Sequence, residues 1–91
     1  MSSMAADVFK LFTALGLTPT ETKVYLANLE LGPTSVQDIA KKARLSRTAT
    51  YDAIASLQDH GLISTFDRGK KKFFAAEEPE SAVAHFKGEI Q

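Results

Sequence analysis

TSVQDIAKKARLSRTATYDAIASLQDHGLISTFDRGKKKFF, residues 34–74, decides the fold. Its first half reads as two helices joined by a tight turn. Val36, Ile39, Ala40 and Ala43 recur at helical spacing behind a cap at Thr34 or Ser35. Arg44, Leu45 and Ser46 form the turn, with Leu45 as its anchor in the core. Ser46 caps the next helix, which is expected to run to about His60, with Gly61 as the left-handed residue beyond its end. On that helix Thr50, Ala53, Ile54 and Leu57 face the core. Arg47, Thr48, Ala49, Asp52, Ala55 and Ser56 face outward or to the flank. After Gly61 the period changes from helical to alternating. Residues 62–66 and 72–76 are rich in β-branched and aromatic side chains, and Asp67, Arg68, Gly69 and Lys70 lie between them. The pattern predicts a β-hairpin with a cationic tip.

Upstream, Met4, Val8, Leu11, Phe12 and Leu15 share one face of a helix that Gly16 ends. Thr18-Pro19-Thr20-Glu21 is a helix start: a threonine cap, a proline in the first turn and a glutamate three residues after the cap. This second helix is expected to reach about Leu31 and to bury Val24, Tyr25 and Leu29 or their neighbours. Gly32 and Pro33 stop it. Downstream, Glu77-Glu78-Pro79-Glu80 breaks the second strand and opens a last helix over about 79–91, whose apolar stripe is Val83, Phe86 and Ile90. The expected fold class is mostly α with a small β-hairpin: a helix-turn-helix over about 35–60, a wing over about 62–76, and extra helices at both ends. One domain over residues 1–91 accommodates all of it.

The formal net charge is zero, but it is not evenly spread. Between Lys41 and Lys72 lie eight of the eleven basic residues and three acids, a formal +5, which leaves −5 for the remainder. Such polarity points to a polyanionic partner. No cysteine is present, which excludes disulfides, thiolate metal sites and a cysteine nucleophile. His60 and His85 are the two histidines and lack a clustered acid pattern, so neither a metal nor another cofactor is expected. Gly69-Lys70 superficially suggests a phosphate loop, but Ser64 stands where its first glycine belongs and Lys71 follows the lysine. With no nucleophile, base and orienting group in view, an enzyme is not expected. There is no basic region followed by an apolar run at the start, and the apolar stretch from Val8 to Leu17 is too short for a bilayer. The expectation is a cytoplasmic protein without a membrane partner.

The run Leu17-Thr18…Glu21…Tyr25, together with Ser46-Arg47…Tyr51…Ile54…Leu57…Gly61-Leu62-Ile63, resembles the N-terminal winged helix-turn-helix domain of TrmB-like transcriptional regulators over roughly Leu15 to Glu80. MarR-like and ArsR-like proteins share the second motif. The resemblance implies that the helix starting at Arg47 reads the major groove of double-stranded DNA and that the hairpin touches the backbone or minor groove. Larger members of that family carry a C-terminal ligand-binding domain, for sugars in some of them. This chain stops at Gln91, so no small-molecule ligand is expected for it.

The residues themselves support the same reading. Ser46, Arg47, Thr48, Ala49, Thr50 and Tyr51 open the second helix of the pair, where an arginine and hydroxyls can meet base edges or phosphates. Lys41, Lys42 and Arg44 flank it, although cations at a helix C-terminus also serve the helix dipole. Arg68, Lys70, Lys71 and Lys72 arm the wing, where lysines also guard an exposed strand edge. Lys71 and Lys72 are not expected to point the same way, because strand side chains alternate. Tyr51 suits either a phosphate contact or a half-buried site, and Asp52, which would repel phosphate, reads as a surface acid of the helix or the partner of a nearby base. Met4, Val8, Phe12, Val83, Phe86 and Ile90 exceed what a minimal winged helix must cover; they pack within one subunit or build a homodimer with a palindromic operator. Two rival readings remain: a winged helix that binds an acidic protein, and the DNA-binding piece of a larger ligand-sensing regulator.

Overall fold

The computed structural model describes residues 4–78 and 80, with side chains from Ala6 onward. Four helices come first, α1 (Met4–Ala14), α2 (Pro19–Leu31), α3 (Val36–Ala43) and α4 (Arg47–Asp59), followed by the strands β1 (Ile63–Arg68) and β2 (Lys71–Ala76). The helix expected over 79–91, with Val83, Phe86 and Ile90, lies outside the described residues apart from Glu80. The side chain of Met4 does too.

Short-range chemistry sets the helix ends. The Thr18 hydroxyl accepts from the Glu21 N–H at 3.0 Å, and the Glu21 carboxylate accepts from the Thr18 N–H at 2.8 Å, a complete capping box at the start of α2. Ser35 and Ser46 cap α3 and α4 by accepting from the N–H groups of Asp38 and Ala49. Three helices end with the same pair of backbone bonds. Leu17 donates to Phe12 and Gly16 to Thr13 after α1; Leu62 donates to Leu57 and Gly61 to Gln58 after α4. In both, the residue at the turning point is a glycine at positive φ, which closes the last turn without a Cβ clash. After α3 the donors are Leu45 to Ala40 and Arg44 to Lys41, and the turning residue is Arg44, held at φ 59° and ψ 46°.

Helix α2 is the centre of the packing. It touches α1, α3, α4 and β2, and Val24 and Tyr25 on it are fully buried, as are Ile39, Leu57 and Leu62 around it. The Phe12 and Tyr25 rings meet at 4.8 Å with a 55° tilt. The Tyr25 hydroxyl donates to the Glu77 carbonyl, tying α2 to the chain just beyond the wing. Val8 and Phe12 are 5% and 1% exposed within this core. That corrects the expectation that these two residues form a dimer surface: Val8 and Phe12 are buried inside one subunit, Phe12 against Tyr25 of α2.

The wing is an antiparallel ladder with Ile63 opposite Ala76 and Arg68 opposite Lys71. Its connection is two residues, Gly69 and Lys70, rather than the four expected, because the strands continue through Asp67 and Arg68 on one side and Lys71 on the other. Gly69, at φ 64°, supplies the positive torsion that a two-residue hairpin needs at its first central position. Thr34 adds a third, minimal strand. Its N–H and carbonyl exchange bonds with Phe74 at 3.0 and 2.8 Å, and Asn28 donates its side-chain amide to the same Phe74 carbonyl at 3.0 Å. The wing is thereby fixed to the ends of α2 and the start of α3.

Candidate nucleic-acid interface

Helix α4 turns Thr50, Ala53, Ile54 and Leu57 into the core and leaves Arg47, Thr48, Tyr51, Asp52, Ala55 and Asp59 exposed. The outward stripe is therefore made mostly of short or uncharged side chains, flat enough for close approach to another surface. Thr50 does not belong to it. Its side chain is fully buried, and its hydroxyl donates to the Ser46 carbonyl at 2.8 Å. The expectation that Thr50 meets DNA is corrected: helical periodicity puts it on the inner face and its hydroxyl is spent on its own helix. The Ser46 hydroxyl is exposed but already accepts the Ala49 N–H at 3.1 Å, while Ala49 itself is half-buried.

Two grooves border α4, and they differ in charge. On the wing side, Ser35 and Gln37 from the start of α3 converge with Arg47 and Tyr51 of α4 and with Lys71 and Lys72 of β2. The Arg47 guanidinium lies 6.0 Å from the centre of the Tyr51 ring, at the outer range of a cation–π contact, and both side chains line this groove. Tyr51 is 45% exposed, so it is a surface residue and not part of the core. On the other side, Thr18, Thr20 and Glu21 at the start of α2 face Ala49, Asp52 and Ala53. The lining of that groove includes two carboxylates and no lysine or arginine. Burial alone would raise the Glu21 carboxyl. Hydrogen bonds from the Ser56 hydroxyl and from the backbone and hydroxyl of Thr18, with the charge of His60, bring it below its ordinary value.

The wing separates its basic residues by strand alternation. Phe66, Arg68, Lys71 and Phe73 share one face, while Asp67 and Lys72 pair across the other. On the first face the Phe66 and Phe73 rings lie 6.0 Å apart, and the Arg68 guanidinium stands 5.9 Å from the Phe73 ring. Arg68, Lys70, Lys71 and Lys72 are all exposed. The residues expected to flank α4 do not join the wing-side groove as one cluster. Lys42 and Arg44 border a separate groove with Lys23 and Glu30 of α2, where the Lys42 ammonium pairs with Glu30 at 3.5 Å. Both partners are exposed, so the pair is worth little to stability, yet it offsets the charge of Lys42 locally. Sequence reasoning did not find the role of Ser35 and Gln37 in the wing-side groove. The signal was present in the Ser35 cap, which sets the start of α3 beside the wing.

Two helices joined by a three-residue turn, capped by serines and followed by a basic hairpin, make a winged helix-turn-helix, the fold of a large class of transcriptional regulators. The chain belongs to the family described as the sugar-specific transcriptional regulator TrmB, whose model matches residues 11–80. A curated relative, the HTH-type sugar sensing transcriptional regulator TrmBL1 of Pyrococcus furiosus, is 26% identical over 84 residues, which are 92% of this chain and 24% of that protein. This chain thus spans about a quarter of the length of that relative. Among solved structures, the archaeal chromatin protein TrmBL2 superimposes with a TM-score of 0.80 at 22% identity, over 96% of this chain and 34% of that one. A MarR-family regulator from Silicibacter pomeroyi superimposes with a TM-score of 0.67 at 16% identity, over 94% and 63%. The likenesses at this level of identity establish the fold. Among the described residues no helix is long and apolar enough to cross a membrane, and no three metal-ligating side chains come together.

Proposed function

We propose that this chain is the DNA-reading part of a transcriptional regulator. Helix α4 enters the major groove of double-stranded DNA, with Thr48, Tyr51 and Asp52 toward the base edges, and the phosphate backbone runs through the wing-side groove past Arg47, Lys71 and Lys72. Arg68 and Lys70 at the wing tip, and Lys41 and Arg44 at the end of α3, add backbone contacts. The observation that carries this reading is that Arg47 of α4 and Lys72 of β2, on the strand face that carries the buried Phe74, border one groove beside a helix whose outward face is made mostly of short side chains. Diffuse attraction to an acidic protein would not call for such a division. Sugar sensing belongs to the names of the family and of the longer relative; what is proposed here is DNA binding alone.

The protein acts as a two-fold dimer on a palindromic site, which would set two α4 helices about 34 Å apart. With Val8 and Phe12 inside the subunit, Leu11, 39% exposed on α1, is the large apolar residue most open to such a contact among the described residues of that helix. Sedimentation equilibrium, with and without a duplex, tests the dimer. Fluorescence anisotropy with a duplex from the DNA upstream of the protein's own gene against a random duplex tests DNA binding: tighter binding to the former is expected, and no binding to either at low salt would refute the reading.

A further inference from the structure

Asp52 is the unexplained residue of the outward face of α4. It lies in the first two turns of the helix, where base edges are met, and it is exposed. Among the described residues no cation lies within ion-pair distance of it. Arg47, the nearest base in sequence on this helix, instead lies near the Tyr51 ring and lines the wing-side groove. Across the groove on its own side, Asp52 faces Thr18, Thr20 and Glu21, so its surroundings are hydroxyls and a second carboxylate. A bare carboxylate at the centre of a DNA-facing surface repels phosphate unless a donor meets it.

In the major groove only two bases present a donor, the N4 amine of cytosine and the N6 amine of adenine. Adenine sets its N7 acceptor beside that amine, which a carboxylate would oppose. Cytosine has no acceptor on that edge. Resting on the reading above, we propose that Asp52 accepts a hydrogen bond from the N4 amine of a cytosine and thereby makes one C·G pair of the bound site a determinant of specificity. Thr48 and Tyr51, on the same exposed stripe, carry hydroxyls that tolerate several bases, so Asp52 is the group on this face that selects one.

The test is selection of bound duplexes from a random pool with the whole chain, followed by titration of the selected duplex and of variants at each position. The wild-type protein is expected to select a fixed C·G pair whose replacement by T·A weakens binding about tenfold or more. In Asp52→Ala that penalty should shrink to near unity at this position alone, and Asp52→Asn should move the preference there toward adenine. Both substitutions fall at an exposed helical position, and thermal melting checks that the fold is kept. If the penalty survives in Asp52→Ala, or if the substitution tightens all duplexes equally, Asp52 is a repelling surface acid and the inference fails while the DNA-binding reading stands. If the wild-type chain binds no duplex, both fail.

Discussion

Arg68 and Lys71 face each other across the last register position of the wing, two cations directly opposite at a two-residue turn. Like charges so placed oppose hairpin formation by some tenths of a kcal/mol. The next pair inward, Asp67 with Lys72, is of opposite sign, so the tip keeps a repulsion that a single substitution would remove. Lys71→Glu should therefore stabilise the wing by about 0.2–1 kcal/mol while weakening binding to every duplex. Thermal melting and anisotropy titration at several salt concentrations check both halves. A mutation that raises the melting temperature and lowers affinity together marks the charge as kept for a partner.

Arg44 gives a second case of the same kind. It occupies a left-handed turn of the type that Gly16 and Gly61 make after α1 and α4. A side chain there costs on the order of 1 kcal/mol. Arg44→Gly should raise the melting temperature by roughly 4–8 °C, the shift expected for that energy in a domain of this size. The same variant should bind random and specific DNA a few-fold more weakly. Unchanged affinity would remove Arg44 from the backbone contacts.

The core position of Phe12 separates folding from assembly. Phe12→Ala should destabilise the monomer by about 3–5 kcal/mol, seen as a loss of cooperative unfolding in chemical denaturation at all protein concentrations. A variant that keeps its unfolding midpoint and only dissociates would return Phe12 to a dimer surface.

Tyr25 and Glu21 set opposite limbs of the pH profile. Burial, then the charges of Glu77 and Glu78, push the Tyr25 hydroxyl up to about 12. The folded-state value exceeds the ordinary 10, so this contribution is complete below pH 10 and is lost as pH rises toward 12. Unfolding free energy should fall there by up to about 1.4 kcal/mol per pH unit, and Tyr25→Phe should flatten that fall. Glu21 is lowered, so its contribution is present above the ordinary carboxylate range and disappears as pH drops through the folded value. Glu21→Gln should flatten the acid limb. Denaturant titrations across pH give both.

What the sequence reveals here depends on how far apart the interacting residues are. The capping box at Thr18 and Glu21, the Ser46 cap and the turn at Gly61 involve neighbours within a few residues, and each is where its residues predict. The Thr34–Phe74 bridge and the Asn28 amide on the Phe74 carbonyl join residues 40 and 46 positions apart, and no local pattern announces them. The stripe of Val8 and Phe12 was visible, but an apolar stripe does not name what covers it. Thr50 carries both an inward position and a hydroxyl, and only the bond to Ser46 decides between them. Arg44 had no glycine to mark its left-handed turn. The division of charge between the two grooves beside α4 depends on how α2, α3 and β2 are brought against that helix.

The proposed function stands on the reading of DNA by α4 from the rim of the wing-side groove. It is tested most directly by anisotropy titration of wild-type protein and Arg47→Ala against the selected duplex and a random one. Wild-type protein is expected to bind the selected duplex much more tightly, and Arg47→Ala, by removing a phosphate contact at the rim of the groove, to weaken both complexes by a similar factor. Equal affinity of the wild-type protein for both duplexes, or no effect of Arg47→Ala on either, would contradict it.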